Sequence, residues 1–75
     1  MFDVLIVTTE KVLFENKVKS LVLPGEHGVF EILDYHKPVM ARLMGGNIFA
    51  GVNVFKICRG IVGFSKNKAT VIVEQ

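Results

Sequence analysis

The feature that most constrains the fold is a recurring pattern of short β-branched and aromatic runs separated by turn residues. No window has the apolar spacing of three and four residues that an amphipathic helix needs, whereas runs of this length and composition are typical of strands. Roughly eight to ten short strands in one small chain indicate a β-sandwich or a small barrel. The predicted strands cover residues 2–8, 12–15, 18–23, 29–33, 39–43, 48–50, 54–58, 61–65 and 69–73.

Two of the predicted turns rest on asparagine. Asn16 is expected to end the second strand. Asn67, between Lys66 and Lys68, is expected to take a left-handed conformation in a hairpin turn, because asparagine tolerates positive φ better than most residues.

The size and composition of the chain indicate one small domain that has apolar residues to spare. We expect residues 1–75 to form a single domain, without a linker or an internal repeat. Hydrophobic residues make up 51% of the chain and the mean hydropathy is +0.47. Surplus apolar surface on a small domain usually covers a partner. The net charge is only +2 and the lysines are spread along the chain, so nucleic acid is not expected as a partner.

The first strand is apolar on both of its faces. Phe2, Val4 and Ile6 point to one side, while Leu5 and Val7 point to the other. Two interpretations remain open at this point. The strand lies in the centre of a sheet with cross-strand neighbours on each face, or its outer face is covered by another subunit.

The single cysteine and the N-terminal sequence limit other possibilities. Cys58 cannot form an internal disulfide, and its apolar surroundings predict a small buried side chain. The first residues lack the basic start and cleavage site of a signal peptide. The longest uncharged run, residues 43–55, has 13 residues and is interrupted by glycine and asparagine, so it cannot span a bilayer. Any membrane association is therefore expected to come through a protein partner.

Two polar loops, residues 24–28 and residues 34–38, contain both histidines and both prolines. In a chain without a catalytic motif, this concentration of polar residues predicts a contact surface. A metal site is not expected, because the possible ligands match no zinc spacing and the two histidines lie on exposed loops. These possible ligands are His27, His36, Glu26, Glu31, Asp34 and Cys58.

No catalytic or cofactor-binding residue is predicted. Ser20 and Ser65 are the only serines, and neither lies in a nucleophile elbow. The glycine-containing loop at residues 25–28 is too short for a phosphate loop and precedes no helix.

The segment from Leu21 to Met40 has a distinctive order of residues: Leu23-Pro24-Gly25, Gly28, Ile32-Leu33, His36 and Pro38. In this order and spacing it resembles the N-terminal domain of the epsilon subunit of F-type ATP synthases. Weaker matches at residues 5–10, 13–15, 46–48, 59–62 and 67–71 extend the resemblance over essentially the whole chain. The resemblance implies an all-β fold, a β-sandwich of two five-stranded sheets.

The same resemblance implies a function without catalysis. Such a subunit lies on the central rotor stalk, between the gamma subunit and the membrane-embedded c ring, and couples the flow of protons or sodium ions to ATP synthesis. It is peripheral, at the cytoplasmic face of the bacterial inner membrane, and it contacts the membrane only through the complex. The implied gamma and c-ring interface comprises Gly25, Glu26, His27, Gly28, Glu31, His36 and Pro38.

The chain also departs from the family pattern. Asp34-Tyr35 replaces the usual Pro-Gly, Glu31 replaces a common glycine, and the sequence ends at Gln75, where many relatives continue into a helical hairpin associated with nucleotide sensing. We therefore expect neither ATP binding nor an inhibitory extension. The alternative hypothesis is a small β-module that binds a peptide or single-stranded nucleic acid, which would need exposed aromatic residues interleaved with Lys or Arg.

Overall fold

The computed structural model describes residues 1–75 and contains nine β-strands and no helix. No helix is present that could cross a membrane. The all-β prediction is confirmed. The strands are β1 (Phe2–Val7), β2 (Val12–Val18), β3 (Ser20–Gly25), β4 (Gly28–Leu33), β5 (Val39–Leu43), β6 (Gly46–Ala50), β7 (Asn53–Ile57), β8 (Arg59–Ser65) and β9 (Lys68–Glu74).

The strands form two layers that are joined at one point. One layer has the order β2-β1-β9-β8-β5, and the other has the order β4-β3-β6-β7. The link between them is the pair of Gly25 with Leu43, so hydrogen bonds connect all nine strands into one continuous sheet. The prediction of five strands thus holds for one layer, while the other has four. The longest segment between strands, residues 34–38, extends neither layer, because Tyr35 has φ 61° and Pro38 has no N–H.

The core lies between the layers and draws on both of them. Sixteen buried apolar side chains form one cluster. Within it, the Phe2 and Phe64 rings meet edge to face, with centroids 5.5 Å apart. Phe14 on β2 and Phe55 on β7 meet at 5.7 Å and close the side of the sandwich where these two edge strands lie. Strand alternation explains the pattern, because every second residue of β1, β3 and β9 points inward.

The turn predictions have mixed outcomes. Asn67 has φ 58° and Lys66 has φ 51°, the paired positive values of a two-residue hairpin, so the prediction for Asn67 is confirmed. The turn predicted at Asn16 is wrong, since β2 continues to Val18. Asn16 pairs with Val4 of β1, and the polar residues on either side of it form a solvent-exposed edge of the sheet.

Cys58 is exposed, so the prediction that it is buried is wrong. It lies between β7 and β8, directly after Ile57, and Ile57 fills the inward position of that strand end. Alternation therefore turns the next side chain outward. The Cys58 N–H donates to the Glu74 carbonyl at 2.7 Å, and its thiol lies 3.2 Å from the Gln75 carbonyl.

Candidate functional site

The first polar loop is the tip of the tight hairpin between β3 and β4. Gly25 pairs with Gly28, and Glu26 and His27 form the exposed turn. A side chain at Gly25 would place its Cβ 2.8 Å from the Gly28 carbonyl oxygen and from the Phe30 ring, so only glycine fits there. The His27 Nε2 lies 3.8 Å from a Glu26 carboxylate oxygen at this open tip. Four of the predicted interface residues thus occupy one rigid, protruding turn.

The second polar loop is held against the turn between β8 and β9. The Asn67 side-chain oxygen accepts a hydrogen bond from the Tyr35 N–H at 2.8 Å, and its amide donates to the Asp34 carboxylate at 3.2 Å. The His36 Nδ1 donates to the Lys37 carbonyl at 2.7 Å, and the His36 ring lies 5.9 Å from the Phe64 ring. These contacts fix the loop conformation although Asp34-Tyr35 departs from the family pattern.

The structure separates the two loops. They lie at opposite ends of β4, which has six residues and therefore spans about 17 Å. Glu31 lies between them, on the outer surface of the strand. The residues predicted as one interface thus form two separate groups, one around His27 and one around His36.

The outer surface of the five-stranded layer carries an apolar row that the sequence prediction missed. Arg42 of β5 lies opposite Ile61 of β8, Ile61 opposite Ile72 of β9, and Ile72 opposite Val7 of β1. Ile61 and Ile72 are 41% and 47% exposed, although they lie in the middle of the layer. The adjacent outward row contains Leu5 and Met40. The apolar residues of the two rows form a surface that is named the front face: Leu5, Val7, Met40, Ile61 and Ile72.

The outer surface of the four-stranded layer is also apolar, with one charge in it. Val22 of β3 lies between Glu31 of β4 and Phe49 of β6, and Phe49 lies opposite Val54 of β7. No ion pair involves Glu31. This surface is named the back face: Val22, Val29, Leu33, Phe49 and Val54.

The signal for both faces was present in the sequence. In β8 and β9, as in β1, both the inward and the outward positions hold apolar residues. For β1 the sequence already left open an outer face that is covered by another subunit. What was missing was the register that aligns Ile61 with Ile72 and Val7.

The alternative hypothesis of a module that binds a peptide or single-stranded nucleic acid would need exposed aromatic residues interleaved with Lys or Arg. The exposed aromatic residues Tyr35 and Phe49 lie on separate elements, one in a loop and one on β6.

The N-terminal amino group adds a titratable contact at the His36 end. It lies 2.7 Å from the Asp34 carboxylate, and hydrogen bonds from this group and from Asn67 lower the pKa of Asp34 below its ordinary value. Because the pKa of Asp34 is lower in the folded chain than in the unfolded chain, the contact stabilises the fold at pH values above about 4, the ordinary pKa of an aspartate. The stabilisation is lost as pH falls through the lower, folded-state value.

We expect Asp34→Asn to lower the melting temperature at neutral pH and to have a smaller effect in acid. Thermal unfolding followed by circular dichroism between neutral pH and about pH 2 measures the difference between the two proteins, which should shrink below about pH 4. Asp3→Asn is the control, since the Asp3 carboxylate lies 3.0 Å from Lys17 in an exposed ion pair and has no hydrogen bond to the loop. A difference for Asp34→Asn that stays constant with pH would contradict this account.

Comparison with known proteins gives a consistent result. The family model of the ATP synthase delta/epsilon chain beta-sandwich domain matches residues 1–75. The ATP synthase epsilon chain of Chlorobaculum tepidum is 32% identical over 99% of this chain and 90% of its own length. The epsilon chain of Protochlamydia amoebophila is 34% identical over 99% of this chain, which spans 54% of that relative.

A solved structure shares the fold. In the cryo-EM structure of the central stalk and c ring of Tetrahymena thermophila mitochondrial ATP synthase, one chain superposes with a TM-score of 0.82 at 14% sequence identity, over 97% of this chain and 63% of that one. The β-sandwich class is thereby supported by structure as well as by sequence. The match of the family model over every residue and the identity to the bacterial epsilon chains show that this chain belongs to the ATP synthase delta/epsilon chain family, in its β-sandwich domain.

Proposed function

We propose that the chain is a non-catalytic subunit of the central stalk of an F-type ATP synthase, which links the gamma subunit to the c ring and couples ion flow to ATP synthesis. The observation that carries the proposal is the front face, where an isoleucine row crosses the centre of a sheet and remains exposed. Apolar surface of this kind on a small domain is typical of a protein interface. Its family membership indicates which complex supplies the partner.

The front face is the proposed gamma-binding surface. A five-stranded sheet with an apolar centre can bury its outer side chains against a second protein without a change of backbone conformation. Arg42 lies at one end of the isoleucine row, and the next row of the sheet contains Arg59 and Glu74, which form an ion pair at 2.9 Å. Charged groups around an apolar centre are the usual arrangement of an interface rim.

The two loop groups are proposed to have different partners. The molecule extends about 27 Å along its longest axis, and the loops lie at opposite ends of β4. We assign Gly25, Glu26, His27 and Gly28 to the c ring, because this exposed turn protrudes and carries polar groups. His36 and Pro38 are assigned to gamma, because Pro38 lies beside Met40 of the front face, whereas Glu31 lies on the back face and is assigned to neither of these two partners. In this arrangement residues 1–75 act as one rigid domain between two partners, and their shared core supports this.

The location follows from this role. The relatives from Chlorobaculum tepidum and Protochlamydia amoebophila are bacterial chains named as ATP synthase subunits. We therefore place this protein at the cytoplasmic face of the bacterial inner membrane, held there through the complex.

Co-expression with the gamma subunit of the same organism tests the proposal. We expect the two chains to elute together in size-exclusion chromatography at micromolar concentration. Separate elution of a folded chain and a folded gamma subunit would contradict the proposed function. Circular dichroism of each separated protein supplies the control for folding.

A further inference from the structure

Strand β4 leaves one edge of the sheet unpaired. It is bonded only to β3, through the two-residue hairpin. Alternation along an antiparallel pair then turns the backbone groups of Val29, Glu31 and Leu33 away from β3. The Leu33 carbonyl accepts a hydrogen bond from the His36 N–H at 3.2 Å, as an outward-facing group can. The N–H and C=O groups of Val29 and Glu31 have no strand beside them.

A groove lies beside this edge. It occupies about 500 Å³ between β4 and β5, which do not pair with each other, and it lies beside the point where Gly25 of β3 pairs with Leu43 of β5. Phe30, Val39 and Ala41 line it, and all three are half-buried and pack against the core. The opposite side of the sandwich is closed by phenylalanine rings, whereas this side is open. A strand added to β4 would place every second side chain into the groove.

The outward side chains of β4 indicate what such a strand carries. Val29 and Leu33 are 74% and 51% exposed, and Glu31 stands between them without an ion-pair partner. Directly opposite residues on paired strands contact each other, and opposite charges attract across the pair. A lysine or arginine opposite Glu31, with apolar residues two positions away on each side, therefore matches this edge.

The β4 strand of a second copy of this chain does not fit the edge of β4. The antiparallel register that pairs all three outward residues of β4 with those of another β4 sets Glu31 opposite Glu31. Like charges in that position are destabilising, and a charge on an edge strand is a common protection against self-association. The free edges of β2 and β7 carry lysines, Lys17 and Lys56, and the cavity beside β2 is lined mainly by polar and charged residues.

We propose that the edge of β4 accepts an extended strand of a partner protein, with an apolar–x–basic–x–apolar pattern, by β-strand addition. Main-chain hydrogen bonds to Val29 and Glu31 hold the strand. The basic residue pairs with Glu31, and the side chains between fill the groove beside Phe30. The inference stands on the geometry of β4 alone and does not require the chain to be part of a rotor stalk.

The test uses a synthetic peptide, Thr-Val-Ile-Lys-Ile-Val-Thr, and the whole chain. The peptide is expected to lie antiparallel to β4 with its lysine opposite Glu31, so that the valine and lysine N–H groups face β4 and the isoleucine N–H groups face away. We expect fluorescence anisotropy to show saturable binding, and NMR to show slower amide exchange at Val29 and Glu31. N-methylation of both valines should weaken binding more than about tenfold, because it removes hydrogen bonds to the edge. N-methylation of both isoleucines is the matched control and should have little effect.

Charge exchange tests the role of Glu31 separately. Glu31→Lys should reverse the preference, so that the peptide with glutamate in place of lysine binds about fivefold better than the original. Glu15→Lys makes the same substitution at an exposed position of the edge strand β2 and should leave the original preference unchanged. The proposal is overturned if the peptide does not bind or if the two N-methylated peptides bind equally well. It is also overturned if Glu31→Lys leaves the preference for the lysine peptide over the glutamate peptide unchanged. None of these results bears on co-elution with gamma.

Discussion

Replacing Phe64 with alanine is expected to lower the free energy of unfolding by about 3–5 kcal/mol. Phe64 is buried in the core, its ring meets Phe2 edge to face at 5.5 Å, and the His36 ring rests against it. Truncation removes these contacts and leaves a cavity in a close-packed interior. A chain of 75 residues has a total stability of about 4–11 kcal/mol, so this single change removes a large share of it.

Urea unfolding followed by circular dichroism measures the effect. Phe49→Ala is the matched control, because Phe49 lies on the outer surface of β6 and is 41% exposed. It should lower the free energy of unfolding by clearly less than Phe64→Ala does. Equal effects of the two substitutions would show that the core does not lie between the layers as described.

The substitution Ile72→Asp is expected to weaken binding to gamma strongly and to leave the fold intact. Ile72 lies at the centre of the isoleucine row of the front face, between Ile61 and Val7. A carboxylate there would be desolvated without a partner when the face is covered. Loss of a central interface residue costs at least about 2 kcal/mol, which weakens binding more than about thirtyfold.

The back face supplies the control for this variant. Val54→Asp places the same charge on an outward β-branched position of comparable exposure, 54% against 47%. It lies on the opposite layer and should leave binding to gamma unchanged. The two variants are compared by surface plasmon resonance on immobilised gamma. Stronger loss with Val54→Asp than with Ile72→Asp would assign gamma to the back face and contradict the proposed surface.

Local signals in the sequence predicted the parts of the fold that depend on neighbouring residues. The hairpin at Asn67 is an example, because a short polar side chain at positive φ favours that turn wherever it occurs. The failure at Asn16 has the same origin. Asparagine there was interpreted as a turn residue, but its position on the polar edge strand β2 requires only that it face solvent.

Features that depend on pairing between distant strands could not be predicted from the sequence. Strand β1 lies parallel to β9, so the two ends of the chain become neighbours in the centre of one layer. That pairing aligns Val7 with Ile72 and creates the front face. The strand predicted at residues 29–33 already separated His27 from His36, but the sequence prediction still placed both loops in one interface, and the structure places them at opposite ends of β4.

Calorimetric titration of the folded chain into the gamma subunit of the same organism tests the central claim most directly. The account predicts saturable one-to-one binding with a dissociation constant of about 1 μM or tighter. It also predicts a negative heat capacity change, because the front face is apolar and becomes buried. Absence of binding between two folded proteins, or binding without a heat capacity change, would contradict the account.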